Sequence, residues 1–144
     1  GAGYIGAHVC RALAARGDQP IVFDNLSTGH RHAVQWGPLV TGDIRSPADL
    51  DQAFQEHRPQ AVMHFAASIE VGEGQQKPLR YWENNVGGLI SLLGAMGRAG
   101  VKPIVFSSSC AVYGEPSSVP IRENENRAMA RPSSRRNCCW RIWR

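Results

Sequence analysis

The sequence has 144 residues, of which 42% are apolar and 19% charged; this is enough for one ordinary core and argues against a disordered chain. Its net charge of +4 is concentrated, because residues 127–144 contain six arginines and no acid, which leaves −2 on the rest of the chain. A mildly acidic body does not favour nucleic acid as a partner.

No segment approaches the roughly 20 apolar residues that a membrane span needs, and no secretory signal pattern opens the sequence. The four cysteines form no C-x-x-C pair and have no matched histidine spacing, which argues against a zinc site and a disulfide framework. We therefore expect a cytoplasmic protein with reduced thiols, no metal and no membrane contact.

Helical and extended patterns alternate along the chain. Apolar residues at helical spacing follow Gly3 and stop at "RGDQP", and Ser46-Pro47 supplies an N-cap and a first-turn proline for a second helix. Short apolar, β-branched runs between the helices predict strands. The predicted helices cover about 4–16, 46–57 and 77–100, and the predicted strands lie within 20–24, 38–44, 60–67 and 102–109.

Nearly all-apolar strands that alternate with helices indicate an α/β fold, a doubly wound parallel sheet with helices on both faces. Ligands of such sheets bind beyond the carboxyl ends of the strands, so the segments after each strand are the functional candidates. We expect the sheet to be incomplete, with its first strand and a C-terminal substrate domain missing.

The chain opens with "GAGYIG", residues 1–6, which has the G-x-G-x-x-G spacing that seats a dinucleotide pyrophosphate at a helix N-terminus. This spacing alone is a weak signal in a chain with 15 glycines. Asp24 strengthens it, because a carboxylate at a strand end can accept hydrogen bonds from both adenosine ribose hydroxyls and repels a 2′-phosphate. NAD is therefore favoured over NADP; the alternative is an ordinary aspartate that caps the loop backbone.

Seven segments together closely resemble the extended short-chain dehydrogenase/reductase family, and within it the UDP-glucose 4-epimerases. They are "GAGYIGAH", "VFDNLSTG", "GDI", "VMHFAAS", "VGE", "KPLRYWENNVGG" and "FSSSCAVYGEP". The resemblance covers about residues 1–124. It implies a Rossmann-like NAD-binding domain over this range, followed by an atypical basic tail over residues 125–144.

The resemblance also implies which residues contact NAD. They form the pyrophosphate turn, the ribose carboxylate with its following loop, the adenine edge, the segment after the third predicted strand, and one asparagine of the long helix. These residues are Gly3, Tyr4, Ile5, Gly6, Asp24, Asn25, Leu26, Ser27, Thr28, Gly29, Asp43, Ile44, Phe65, Ala66, Ala67 and Asn84. Some epimerases carry a lysine where this chain has Ile69, so one cofactor contact differs.

The implied reaction interconverts UDP-glucose and UDP-galactose through a 4-keto sugar, with tightly bound NAD. Ser109 is the implied catalytic serine, and it contacts the substrate by hydrogen-bonding O4 of the sugar. Members of the family are often homodimers. The alternative for Ser109 is a polar strand end whose hydroxyl satisfies nearby backbone groups.

The resemblance also implies a tyrosine that acts as a phenolate base. A lysine four residues later, in a Tyr-x-x-x-Lys motif, lowers the pKa of this tyrosine. The positions four residues after the three tyrosines hold His8, Asn85 and Ser117, so the motif is absent. The positions expected from Ser109 hold Ser134 and Cys138. We therefore expect this chain to be inactive alone.

The tail, residues 125–144, contains half of the tryptophans and half of the cysteines. We interpret it as disordered or as translated out of frame. One alternative is a non-catalytic NAD-binding module with a basic arm for nucleic acid. Another is a related NAD-dependent sugar-nucleotide epimerase or dehydratase.

Overall fold

A computed structural model describes residues 1–108 and 119–121 of the chain. The predictions for Ser109 and for the tail lie outside the described residues. The predicted alternation of helical and extended segments is confirmed over the described part, although the segment between the last two strands holds more helices than predicted. The helices are α1 (Tyr4–Ala15), α2 (Pro47–His57), α3 (Val71–Gln76), α4 (Pro78–Trp82) and α5 (Gly88–Ala99), and the strands are β1 (Val22–Asp24), β2 (Leu39–Thr41), β3 (Val62–His64) and β4 (Ile104–Phe106).

Helix α2 begins and ends as its sequence predicts. The hydroxyl of Ser46 donates to Asp49 Oδ1 at 2.8 Å and accepts from the Asp49 N–H at 3.3 Å, while Pro47 occupies the first turn. These bonds satisfy a backbone donor that the helix itself leaves unpaired. The helix stops at Arg58, whose φ of +45° is left-handed.

The four strands form two parallel pairs. In one pair Val22 lies opposite Leu39 and Asp24 opposite Thr41; β3 and β4 form the other pair with an equally regular register. Within the described residues no backbone ladder joins β1 to β3, so the predicted parallel sheet is present as two separate halves. Predicted site segments follow the carboxyl ends of β1, β2 and β3. Ser107 and Ser108 follow β4 and lead to Ser109.

The hydrophobic core lies on one side of the strands, between them and the helices α2 and α5. Its buried members are Ile44, Leu50, Phe54, Leu92, Ala95 and Met96. Gly88 allows α5 to approach closely, because a Cβ atom there would lie 2.7 Å from Cγ2 of Ile44. Met63 and Val105, which are register partners, point away from this core and are exposed.

The segment predicted as one long helix, 77–100, is divided. A short helix that the sequence analysis missed, α3, precedes it, and Pro78 starts α4 as a new first turn. Residues Glu83–Gly87 form a π-helical turn between α4 and α5. The predicted stop is confirmed at Gly100, which has a φ of +71°.

Replacing the cap of α2 tests this local account. We expect Ser46→Ala to lower the free energy of unfolding by about 1 kcal/mol, because the Asp49 N–H loses its acceptor. Urea denaturation followed by tryptophan fluorescence measures the change. Ser46→Thr is the control and should retain most of the stability; equal stability of Ser46→Ala and the unsubstituted chain would contradict the account.

Candidate cofactor site

Asp24, at the carboxyl end of β1, joins two segments that the sheet does not hold. Its Oδ2 accepts from the Ala2 N–H at 2.7 Å, and its Oδ1 accepts from the Leu26 N–H at 2.8 Å. Leu26 takes a left-handed backbone with a φ of +58°, which brings its N–H back to the carboxylate. A carboxylate has about four acceptor positions, so these two bonds do not use its full capacity, although the Gly1 ammonium also lies 3.9 Å from Oδ2.

The start of α1 lies against the loop that follows β1. The His30 N–H donates to the Ala2 carbonyl at 3.0 Å, and a Cβ atom on Gly29 would lie 2.8 Å from that of Ala2. A Cβ atom on Gly6 would overlap the backbone of Gly1. Glycines at 6 and 29 are therefore required by close backbone approach.

A cavity of about 430 Å³ opens at the N-terminus of α1. It brings together three of the predicted cofactor residues, Gly3, Tyr4 and Thr28, and a Cβ atom on Gly3 would meet no atom within 4 Å. Gly3 is the N-cap and has no side chain with which to cap the helix. The first N–H groups of a helix have no acceptor within the helix, so this end suits an anionic group such as a pyrophosphate.

Asp43, after β2, lies at a second cavity of about 500 Å³, together with Arg45 and Glu83. Its carboxylate accepts from Arg45 Nε at 2.9 Å, from the Arg45 terminal nitrogen at 2.6 Å and from Asn25 Nδ2 at 3.4 Å. These hydrogen bonds, the Arg45 side chain first, lower the pKa of Asp43 below its usual range. The carboxylate therefore stays an acceptor at neutral pH.

Two further contacts fix the predicted adenine edge. The Asp43 N–H donates to Asp49 Oδ2 at 3.0 Å, so the first turn of α2 also holds the segment that follows β2. The side chain of Ile44 is buried in the core against Gly88. The structure thus uses the Ile44 side chain for packing, and its contact with the adenine stays a prediction.

The segment after β3 contains the predicted residues Phe65–Ala67, and Ala66 and Ala67 are exposed. Asn85, which the sequence analysis did not assign, bonds both backbone groups of Ser68 at 2.8 and 3.0 Å. The predicted residue Asn84 donates to Asn85 at 3.0 Å. The doubled asparagine in "YWENNV" was the available signal for Asn85.

The two tyrosines in the described residues are not placed as catalytic bases. Tyr4 is 81% exposed at the first turn of α1. The Tyr81 hydroxyl donates to the Glu70 carbonyl at 2.7 Å and lies 3.3 Å from Glu73 Oε2. Desolvation and the charge of Glu73 raise the pKa of Tyr81, which is the opposite of what a phenolate base needs.

His64 ends β3 as a buried residue. Its ring lies 5.2 Å from that of Phe106, and burial lowers its pKa, so the imidazole is neutral at pH 7. In residues 1–108 and 119–121 no group of three or more His, Cys, Asp or Glu side chains could hold a metal ion. The helices in this part of the chain are too short or too polar to cross a membrane.

Removing Arg45 tests its effect on Asp43. A lowered folded-state pKa stabilises the fold above the unfolded value of about 3.9, and this contribution is lost as the pH falls toward the folded value. Both side chains are partly exposed, so we expect Arg45→Ala to cost at most about 1 kcal/mol at pH 7 and progressively less below pH 4. Urea denaturation across pH measures the difference, with Arg98→Ala as the control for a surface arginine–aspartate pair. A cost that is unchanged down to pH 2 would contradict it.

Known proteins that are similar to this chain share one family. The sequence model of the NAD dependent epimerase/dehydratase family matches residues 1–136. A UDP-glucose 4-epimerase of Rhizobium leguminosarum bv. trifolii is 51% identical over 135 residues, which are 94% of this chain and 41% of that protein. A UDP-glucose 4-epimerase of Klebsiella pneumoniae is 39% identical over 132 residues, covering 86% of this chain and 95% of that sequence.

A solved structure gives the same result for the fold. The crystal structure of UDP-glucose 4-epimerase from Brucella ovis, in complex with NAD, superposes with a TM-score of 0.79 at 51% identity, over 86% of this chain and 38% of that one. The chain spans about two fifths of the length of the first of these relatives. With a family match over nearly its whole length and the same α/β fold, the chain belongs to the NAD-dependent epimerase/dehydratase family.

Proposed function

We propose that the chain is the NAD-binding part of a UDP-glucose 4-epimerase that acts on UDP-hexoses in the cytoplasm. The carrying observation is Asp24, whose carboxylate stands at the end of β1 between the glycine turn and the loop after the strand. That is where an acidic acceptor for ribose hydroxyls is needed in a doubly wound sheet. The relatives named UDP-glucose 4-epimerase support the substrate assignment.

The residues fit NAD from one strand end to the next. The backbone of Gly3–Gly6 offers N–H donors and open space for the pyrophosphate. Asp24 and the loop 25–29 would hold the adenosine ribose, while Asp43 with Ile44 would meet the adenine. Phe65, Ala66, Ala67 and Asn84 would line the rest of the cofactor.

The bound NAD would accept a hydride from the sugar and return it to the other face of the ring. The protein must also bind O4 of the sugar, a task we assign to Ser109, and remove its proton. No Tyr-x-x-x-Lys motif occurs in the 144 residues, and Tyr81 has a raised pKa. We therefore propose that this chain binds NAD without turning over UDP-hexose.

Two alternatives differ in measurable ways. Another sugar-nucleotide epimerase or dehydratase of the family would share this NAD site and differ in the sugar it takes. A non-catalytic NAD-binding module would bind the cofactor and use the arginines of residues 127–144 on nucleic acid, with affinity that falls steeply with salt. Binding assays with UDP-sugars and with DNA at two salt concentrations separate these cases.

Cofactor preference tests the role of Asp24. We expect the chain to bind NAD at least about tenfold more tightly than NADP, because the carboxylate accepts from ribose hydroxyls and repels a 2′-phosphate. Asp24→Asn should weaken NAD binding by at least about tenfold and narrow this preference, since the charge is lost. Isothermal titration calorimetry measures both constants.

The matched control is Asp18→Asn, which changes an exposed aspartate paired with Arg16 at 3.3 Å. It should leave both affinities unchanged, and circular dichroism should show that each variant is folded. Equal binding of NAD and NADP by the unsubstituted chain would contradict the assignment of Asp24.

We also propose that a second copy of the chain pairs through α4 and α5. Leu79 and Trp82 on α4 are 75% and 59% exposed, and Ile90 and Leu93 on α5 are 65% and 44% exposed. Large exposed apolar side chains on adjoining helices are typical of an interaction surface. The family resemblance, which implies homodimers, supports a second copy as the partner.

A charge on this surface tests the pairing. We expect the unsubstituted chain to form a dimer in sedimentation-equilibrium experiments, and Ile90→Lys to weaken dimerisation by at least about tenfold, because a lysine cannot replace the buried apolar area. Gln52→Lys, on the exposed side of α2, adds the same charge elsewhere and should have no effect. A monomer at all concentrations would contradict the proposal.

A further inference from the structure

The π turn between α4 and α5 carries two consecutive asparagines, both half-buried. Asn85 makes three hydrogen bonds. Its Oδ1 accepts from the Ser68 N–H at 2.8 Å and from Asn84 Nδ2 at 3.0 Å, and its Nδ2 donates to the Ser68 carbonyl at 3.0 Å. The side chain thus bonds both backbone groups of a residue 17 positions away.

These partners determine how both amide groups are turned. A backbone N–H only donates and a backbone carbonyl only accepts, so Asn85 must present Oδ1 to the first and Nδ2 to the second. Because Oδ1 is then the atom nearest Asn84, that residue can approach only with its amide nitrogen. The Ser68 backbone therefore orients Asn85, and Asn85 orients Asn84.

The same bonds hold the far end of the segment after β3. Its near end is fixed where the Ser107 N–H donates to the His64 carbonyl at 3.1 Å. From there the chain passes through Phe65–Ala67 to Ser68, and Ala66 and Ala67 are exposed. Exposed alanines contribute little packing, so the position of this segment depends on its two bonded ends.

We propose that Asn85 is a positioning residue of the cofactor site. It holds Ser68 and therefore the segment 65–67. It also orients the side-chain amide of Asn84, so that Oδ1 and one Nδ2 hydrogen of Asn84 are left for a ligand. Both asparagines lie in the π turn, where the helix takes one more residue per turn than an α-helix. The inference rests on the proposed function, because that function makes Asn84 and residues 65–67 NAD contacts.

Two substitutions distinguish positioning from simple loop stability. Asn85→Ala removes all three bonds. Asn85→Asp keeps the size and both acceptor bonds, but an ionised carboxylate cannot donate to the Ser68 carbonyl. A protonated carboxyl can donate, so the effect of Asn85→Asp should disappear as the pH falls.

The first measurement uses the cofactor-free chain. Amide hydrogen exchange followed by NMR should show the Ser68 N–H exchanging about tenfold faster in Asn85→Ala, because a protecting bond is lost. Gln52→Glu, an exposed change on α2, is the control and should leave the Ser68 rate unchanged. Unchanged exchange at Ser68 in Asn85→Ala would overturn the inference.

The second measurement is NAD affinity between pH 5 and 8. At pH 8 we expect Asn85→Asp to bind NAD about tenfold more weakly than the unsubstituted chain. The ratio of the two dissociation constants should approach one toward pH 5, because partial burial and the facing carbonyl raise the pKa of the introduced carboxyl. Other ionisable groups, such as Asp43, are present in both proteins and cancel in the ratio.

The outcomes separate this inference from the proposed function. A ratio near one at every pH, or a deficit that does not change with pH, would overturn the positioning role. Failure of the unsubstituted chain to bind NAD would count against the proposed function, and the Ser68 exchange rate would then decide by itself whether Asn85 holds the segment.

Discussion

The hydrogen bonds of the Asp24 carboxylate hold together the two segments of the predicted pyrophosphate end of the site. One oxygen holds the N-terminal segment through Ala2, and the other holds the loop after β1 through Leu26. Within residues 1–108 and 119–121 no backbone ladder performs this task, since β1 ends at Asp24 itself. Asp24 is also the residue we propose for the adenosine ribose, so under that proposal one acid would both bind the cofactor and hold residues 1–3 and 25–30 together.

The two ends of the site differ in their support. The predicted adenine edge is joined to the core. Ile44 packs against Gly88 of α5, and Asp49 in the first turn of α2 accepts a hydrogen bond from the Asp43 N–H. Helix α1, by contrast, buries only Gly6, and Met63 and Val105 on the opposite face of β3 and β4 are exposed. The better-buried half of the described chain therefore carries the residues predicted to meet the adenine, while the predicted pyrophosphate turn is held by the hydrogen bonds of Ala2 with Asp24 and His30.

The sequence predicts what local chemistry determines. Ser46-Pro47 marks the start of α2 and Gly100 the end of α5, because caps and left-handed stops depend on residue type. Residue types alone do not predict the π turn, because its Asn85 side chain bonds to Ser68, which is 17 residues away in the sequence. The division of the sheet into two pairs agrees with the expectation of an incomplete sheet, although no single strand's apolar pattern shows it.

The candidate site shows the same limit. Asp24 and the glycines are recognised from spacing, because a turn and a strand end suffice to place them. Arg45 has no such signature: its role comes from meeting Asp43 and lowering the pKa of that carboxyl. Ser109, the predicted catalytic residue, lies outside the described residues, so its placement stays a prediction.

Cofactor binding and proton removal require different environments, and the residues we propose for the first lie in the described part of the chain. Lys77 and Tyr81 lie four residues apart, the spacing of the family's dyad in reverse order. The Lys77 ammonium lies 3.5 Å from Glu73, however, and Arg80 lies 2.7 Å from the same carboxylate, so their charges are directed to an acid. That acid also faces the Tyr81 hydroxyl, and desolvation together with the Glu73 charge raises the pKa of Tyr81. A lysine near a tyrosine is therefore not enough: to make a base, its charge must reach the phenol without an intervening carboxylate.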